Sequence, residues 1–240
     1  MLLAPKRPVL AGVLFGLLTI KPHLGILIPF CLLASWNWRA IASAAVTTIA
    51  MLAATGLLFG FEVWPLFLDN TGPLITAIME APYPQTYHSN AMTVFILARW
   101  AGLELPASYV VQAIAALATI AAVIWMWRPS NPIDHRERVV ITASMAIIAT
   151  PYGYSYDTVP MCLAVAWIYA TSARPALVPL GAAWLLPLIV HRLNEAGFAI
   201  GVLVPIFVSG YLLWRAYATQ KRVSVTADPA RPDAAGLTAS

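Results

Sequence analysis

Long apolar runs, separated by short breaks that carry charge or proline, set the pattern of the chain. Residues 40–61 and 107–127 are each close to the roughly 20 residues needed to cross a hydrocarbon core of about 30 Å. Residues 175–190 and 198–214 are shorter runs of the same kind, adequate where the bilayer thins. Two longer stretches, residues 4–36 and 139–171, are interrupted at Lys21-Pro22 and Thr150-Pro151, leaving halves of about 14–18 residues. Each is either one kinked helix or a hairpin of two short ones. Lysines and arginines decide between these. Lys6-Arg7, Arg39, Arg128 to Arg138, Arg174 and Arg215 to Arg222 recur at alternate breaks, and the positive-inside bias puts them on the cytoplasmic side. Both flanks of each interrupted stretch are then cytoplasmic, so each is a hairpin with its apex outside. The expectation is an all-α integral membrane bundle of about eight crossings, two of its regions being short broken hairpins.

Residues 61–106 form the largest outward element in this scheme. Within it, residues 92–101 make a short apolar helix, too short to span, capped by Ser89 or Asn90. Trp36, Trp38, Trp64, Trp125, Trp127 and Trp214 fall at the ends of the expected spans, as interfacial anchors do. Residues 1–222 are one membrane domain, and residues 223–240, rich in Ala, Pro, Asp, Ser and Thr, are a disordered cytoplasmic tail. The start, Lys6-Arg7 followed by an apolar run, resembles a secretory signal. It lacks a small-residue cleavage site and is read as structure.

Composition removes the soluble alternative. Hydrophobic residues are 60% of the 240 and charged ones 10%, against roughly 45–50% and about 25% in soluble domains. The net charge of +4 is spread over loop positions without a basic, aromatic-interleaved patch, which argues against a nucleic-acid partner. Cys31 and Cys162 lie inside apolar runs and behave as small hydrophobes. Neither a metal-binding cluster, a glycine-rich phosphate loop nor a Ser-His-Asp arrangement is present.

The expected topology gathers polar residues on the outer side. Lys21 caps the first hairpin, and Tyr152, Tyr154, Tyr156 and Asp157 the second. His88 and Asn90 precede the short helix, and His191, Arg192, Asn194 and Glu195 line the last outward loop. Lys21 has two readings: a phosphate-binding ammonium at a helix break, or a snorkelling lysine meeting lipid headgroups. Asp157 either contacts a cation or sugar hydroxyl or caps the following helix, and spacing favours the cap. His88 is a proton-transfer candidate or a solvated loop residue. His135 reads as a solvated loop residue, and Arg192 with Glu195 as a local ion pair.

Three strings together resemble glycosyltransferase family 87. They are GVLFGLLTIKPHLGILIP at residues 12–29, His88-Ser89-Asn90 before the helix ending Ala98-Arg99-Trp100, and Thr150-Pro151-Tyr152 followed by Tyr156-Asp157. The family usually has Asn-Gln-Ser where this chain has His88-Ser89-Asn90. The resemblance implies the GT-C fold and hexosyl transfer, typically of mannose, from a polyprenyl-phosphate sugar to a lipid or glycan acceptor at the extracytoplasmic face. It implies no further cofactor, and a place in the cytoplasmic membrane with the C-terminus inside. Lys21 would hold the donor phosphate, while His88, Asn90, Tyr152, Tyr156 and Asp157 would line the sugar and acceptor cavity. The family's acidic general base lies before the region resembled here, and no acidic residue precedes Glu62. The chain is therefore expected to be an N-terminally shortened form whose partner could be the missing segment. A transporter or flippase subunit and a non-catalytic scaffold or remnant are the rival readings.

Overall fold

Gly12 and Gly16 stand one helical turn apart, and that spacing lets two backbones meet. In the computed structural model, which describes residues 1–226, α1 (Pro8–Leu17) lies directly on α3 (Trp38–Phe59) along these glycines. A Cβ on Gly12 would fall 2.6 Å from Ser43 Cβ, and one on Gly16 would fall 2.5 Å from Thr47 Cβ. The contacts ascend together, Gly12 against Ala40 and Ser43, Gly16 against Ala44 and Thr47, so the two helices run parallel. Asn37 Nδ2 donates to Ala4 O at 3.0 Å and fixes both starts at the same end of the bundle. α2 (Ile28–Ala34) must therefore return from the Lys21 break, which makes residues 4–36 the expected hairpin.

The rest of the chain follows the same up-and-down course. α6 (Leu105–Trp127) and α7 (His135–Ala149) pack antiparallel, and α8 (Val159–Thr171) doubles back after the Pro151 break. α9 (Leu177–Glu195) and α10 (Leu203–Thr226) follow. Arg215 on α10 donates to Thr171 Oγ1 at 2.8 Å and pairs with Glu137 at 3.0 Å, gathering the ends of α7 and α8 at the arginine-rich end. Among the described residues there is no strand, only an isolated bridge between Ala91 and Tyr154.

Three helices, α3, α6 and α9, are long and apolar enough to cross a bilayer by length and composition. Their outward faces carry Leu57, Leu58, Phe59, Leu117 and Leu188, all largely exposed, as lipid-facing side chains are. The interior is closed by Val123, Met126, Trp127, Ile141, Ala164 and Leu212. Several buried polar groups in it are paired: Ser144 and Ser209 hydroxyls meet at 2.8 Å, and Gln112 accepts from Phe95 N at 2.9 Å while donating to Ile148 O at 3.0 Å. Chain breaks inside an apolar bundle need such partners. The chain is a helical membrane protein.

Several local expectations change. Residues 61–80 are not loop: α4 (Val63–Glu80) is an 18-residue helix with no buried residue. It went unread because Pro73, Asp69 and Asn70 interrupt its apolar positions. The short helix α5 spans Val94–Trp100 and is capped by Thr93, whose Oγ1 accepts from Ile96 N at 3.2 Å, not by Ser89 or Asn90. His191 to Glu195 complete α9 and do not form a loop. His135 opens α7 with its ring 5.3 Å from that of Trp127, so it is a packing residue. α10 runs to Thr226, past the expected start of the tail at Val223, and residues 227–240 lie outside the described residues.

The glycine contact has a direct test. Gly12→Leu or Gly16→Leu forces α1 off α3, and overpacking of this kind costs about 1–3 kcal/mol. Thermal unfolding in detergent should fall clearly for either variant and stay near wild type for Gly72→Ala, where a Cβ meets nothing within 4 Å.

Candidate active site

Proline at 22 removes one backbone donor and stops α1, and the chain turns through two 3-10 segments, Leu18–Ile20 and Pro22–Gly25. Lys21 sits between them at the apex. On the facing hairpin, Pro151 ends α7, and a 3-10 turn, Ser155–Thr158, leads into α8. Asp157 lies in that turn with its carboxylate wholly buried. Lys21 Nζ donates to Asp157 Oδ1, and Oδ2 accepts from Tyr154 N at 3.0 Å. The lysine also lies 4.4 Å from the centroid of the Tyr156 ring and stays partly exposed. Asp157 thus caps its own turn and pairs with a cation; it does not cap α8, whose Thr158 start has no side-chain cap.

His23 completes this cluster. Its Nε2 is 3.2 Å from Asp157 Oδ2, off the line of a hydrogen bond, and its ring meets Tyr152 edge-on at 5.9 Å. Sequence reasoning passed over His23, although its place two residues after Lys21 was the available signal.

The His88 loop is fastened to this apex by backbone. Ala91 bridges Tyr154, and Met92 N donates to Gly153 O at 3.0 Å. From the other side Asn194, near the end of α9, donates to His88 O, Ser89 O and Ala91 O at 3.2, 2.8 and 2.9 Å. His88 is buried, its ring 5.1 Å from that of Tyr83. Gln85 N donates to His88 Nδ1 at 3.0 Å, so Nδ1 is the acceptor nitrogen of a neutral ring. Burial, and next the positive charge of Arg99, push the imidazole below its ordinary value. Tyr156 is pushed up by burial first, then by the neighbouring Asp157 charge.

The four outward groups expected from sequence therefore share one end of the bundle, but they form two adjoining places. Lys21, His23, Tyr152, Tyr156 and Asp157 make one. Immediately beside it, an apolar groove of about 520 Å³ runs down from Pro22 between α1, α2 and α3, lined by Leu18, Ile28, Leu33 and Ile41. His88 belongs to the other, a polar pocket of about 580 Å³ with Tyr83, Gln85, Trp100, Asn194 and Glu195 in its wall. Asn90 is exposed at the end of its turn. Arg192 and His191 each lie 3.2 Å from Glu195, so the expected ion pair is present. No group of three or more His, Cys, Asp or Glu side chains able to hold a metal occurs among the described residues.

Chemically, this end of the molecule offers a fixed ammonium with spare donors, suited to an anionic oxygen, above an apolar groove. Alongside lies a pocket of aromatic, amide and carboxylate groups suited to hydroxyls. A sequence model described as Glycosyltransferase family 87 matches residues 1–151. That stretch includes the Lys21 break and the His88 loop and ends at Pro151, just before Tyr152 and Asp157. Neither a curated protein nor a solved structure matches the chain.

The depressed His88 imidazole has a definite pH signature. A folded value below the unfolded one, about 6.5, means the unfolded chain binds more protons in that window. The stabilising contribution is complete above pH ~6.5 and is lost as pH falls toward the folded value. Nitrogen NMR of labelled His88 should show a neutral ring at pH 6.5; a half-protonated ring there contradicts the burial effect.

Proposed function

The chain belongs to glycosyltransferase family 87 and is a membrane glycosyltransferase; on that premise we propose that it transfers a hexose, mannose foremost, from a polyprenyl-phosphate sugar to a lipid or glycan hydroxyl at the outer face of the cytoplasmic membrane. The observation that carries this reading is Lys21. One of its three N–H donors goes to Asp157, which holds the ammonium in place, and the side chain remains partly exposed, so the others face outward. A phosphate seated there would place its hydrocarbon chain in the groove that starts at Pro22. Phosphate recognition and lipid recognition are then met by consecutive residues. The GT-C arrangement expected from the family agrees with helices alternating between the two ends and with a polar apex built from broken hairpins.

In the reaction, the acceptor oxygen forms a bond to the anomeric carbon while the bond from that carbon to the phosphate oxygen breaks. The phosphate leaves with the electron pair, and its growing charge is what a fixed ammonium stabilises. The hydroxyl proton passes to a base. Asp157, neutralised by Lys21, is a positioning residue in this scheme, and the lipid-linked donor makes a bound nucleotide unnecessary.

Binding of a polyprenyl-phosphate hexose to the full chain in nanodiscs tests the assignment. Lys21→Ala should weaken binding, and any transfer, at least tenfold, with Lys21→Arg retaining part of it. Donor affinity equal to wild type in Lys21→Ala removes the phosphate role.

A further inference from the structure

The end of the bundle opposite the Lys21–Asp157 pair holds a cavity that the glycosyl transfer does not use. Four pieces of chain meet there: the residues before α1, the turn from α2 to α3, the last residue of α6 and the first turn of α7. The cavity is about 500 Å³, within the roughly 300–1,000 Å³ of small-molecule sites. Its wall carries Trp36, Trp38, Arg39, Trp127, His135 and Arg138.

Two polar contacts hold these pieces together. Asn37 Nδ2 donates to Ala4 O at 3.0 Å, and His135 Nε2 meets Met1 O at 3.2 Å. Trp36 has a φ of 55°, a left-handed conformation that is costly for a bulky side chain. The turn keeps it there: Trp36 N donates to Leu33 O at 3.1 Å and Asn37 N to Leu32 O at 3.0 Å. The Trp36 and Trp38 rings then meet edge-on, centroids 5.9 Å apart, and both residues stay exposed.

Charge selects the ligand. Arg138 is half-buried and fixed by backbone, Nε donating to Ile133 O at 2.9 Å and Nη2 to Asn131 O. Its Nη1 makes no hydrogen bond among the described residues. Arg39 is exposed and has no ion-pair partner among them. Neither Asp nor Glu lines the cavity. The nearby carboxylates are engaged elsewhere: Asp134 accepts from Arg136 N at 2.8 Å to start α7, and Glu137 pairs with Arg215 at 3.0 Å. Two guanidiniums without a carboxylate suit a phosphate, whose oxygens match the paired N–H groups of the fork.

Position selects the carrier of that phosphate. α3 starts at the cavity and is long and apolar enough to span a bilayer. Tryptophans at the end of a span sit at headgroup depth, where phospholipid phosphates lie. Lys6 and Arg7, both exposed, follow Pro5 of the wall and add positive charge. The ammonium of a zwitterionic head would find no carboxylate in the wall, so a head of net negative charge fits better. We propose that this cavity binds the phosphate of a net-anionic phospholipid, with Arg39 and Arg138 as the donors. The bound lipid ties the α2–α3 turn, and with it the first hairpin, to the start of α7. The site stands apart from Lys21 and from the function proposed above.

Thermal unfolding of the full chain in detergent, titrated with phosphatidylglycerol, phosphatidylcholine or glycerol phosphate, tests the site. Phosphatidylglycerol should raise the midpoint saturably, at concentrations at least tenfold below those at which phosphatidylcholine acts. Glycerol phosphate, which has the phosphate without the chains, should give no shift at the saturating lipid concentration. Arg39→Gln should unfold like wild type without lipid, having no partner to lose, and should need at least fivefold more phosphatidylglycerol. Arg136→Gln removes an exposed arginine of the same end that does not line the cavity, and should keep the wild-type response. Equal weakening by the two substitutions would mean a diffuse attraction for anionic lipid and would overturn the proposal, as would an equal response to the two phospholipids. A shift by glycerol phosphate matching that of phosphatidylglycerol would overturn the lipid as carrier.

Discussion

The fold of the polar end depends on a single ion pair between two chain breaks. Taking a carboxylate out of water is costly by several kcal/mol unless a cation and hydrogen bonds replace the solvent. Asp157 is wholly buried and receives both, from Lys21 and from the Tyr154 amide. Each partner sits at the apex of a hairpin interrupted by proline, at Pro22 and Pro151, so the pair joins at their tips two hairpins whose helices also share a core through Leu27, Cys31, Ile141 and Met145. Burying one charge without the other is unfavourable, which makes the two hairpin tips a register mark for the whole bundle. Everything else at this end is hung from that pair: Tyr154 carries the bridge to Ala91, Ala91 carries the His88 loop, and Asn194 fastens that loop to α9.

The arrangement also separates two kinds of recognition. Beside the ion pair the available groups are donors on a cation, and the groove below them is apolar. Beyond the His88 loop the available groups are oxygens and aromatic rings. The opposite end of the bundle is built differently. There Arg215, Glu137 and Thr171 close on one another, and His135 packs on Trp127.

Much of this was legible in sequence, for physical reasons. Apolar run length and the alternation of Lys and Arg respond to the bilayer itself, so the hairpins at Lys21-Pro22 and Pro151 and the gathering of polar tips could be read directly. The strings at residues 12–29 and at His88 pointed to the family that the match over residues 1–151 establishes. What escaped depends on tertiary neighbours. Asp157 read as a helix cap because the cation that claims it lies 136 residues away. His23 carried no periodic signal and acquires its place only when Asp157 arrives. α4 could not be read because its proline and polar residues hide a helical period, and no core face exists to reveal it.

The claim that the Lys21–Asp157 pair organises this end is tested most directly by a double-mutant cycle on unfolding in detergent, using Lys21→Met, Asp157→Asn and the two combined. Lys21→Met alone leaves a buried carboxylate without its cation and should be strongly destabilising. Adding Asp157→Asn removes that charge, so the double variant should unfold at a higher temperature than Lys21→Met, a clear departure from additivity. Two losses that simply add would mean that the residues act independently and that something else sets the register of the hairpins.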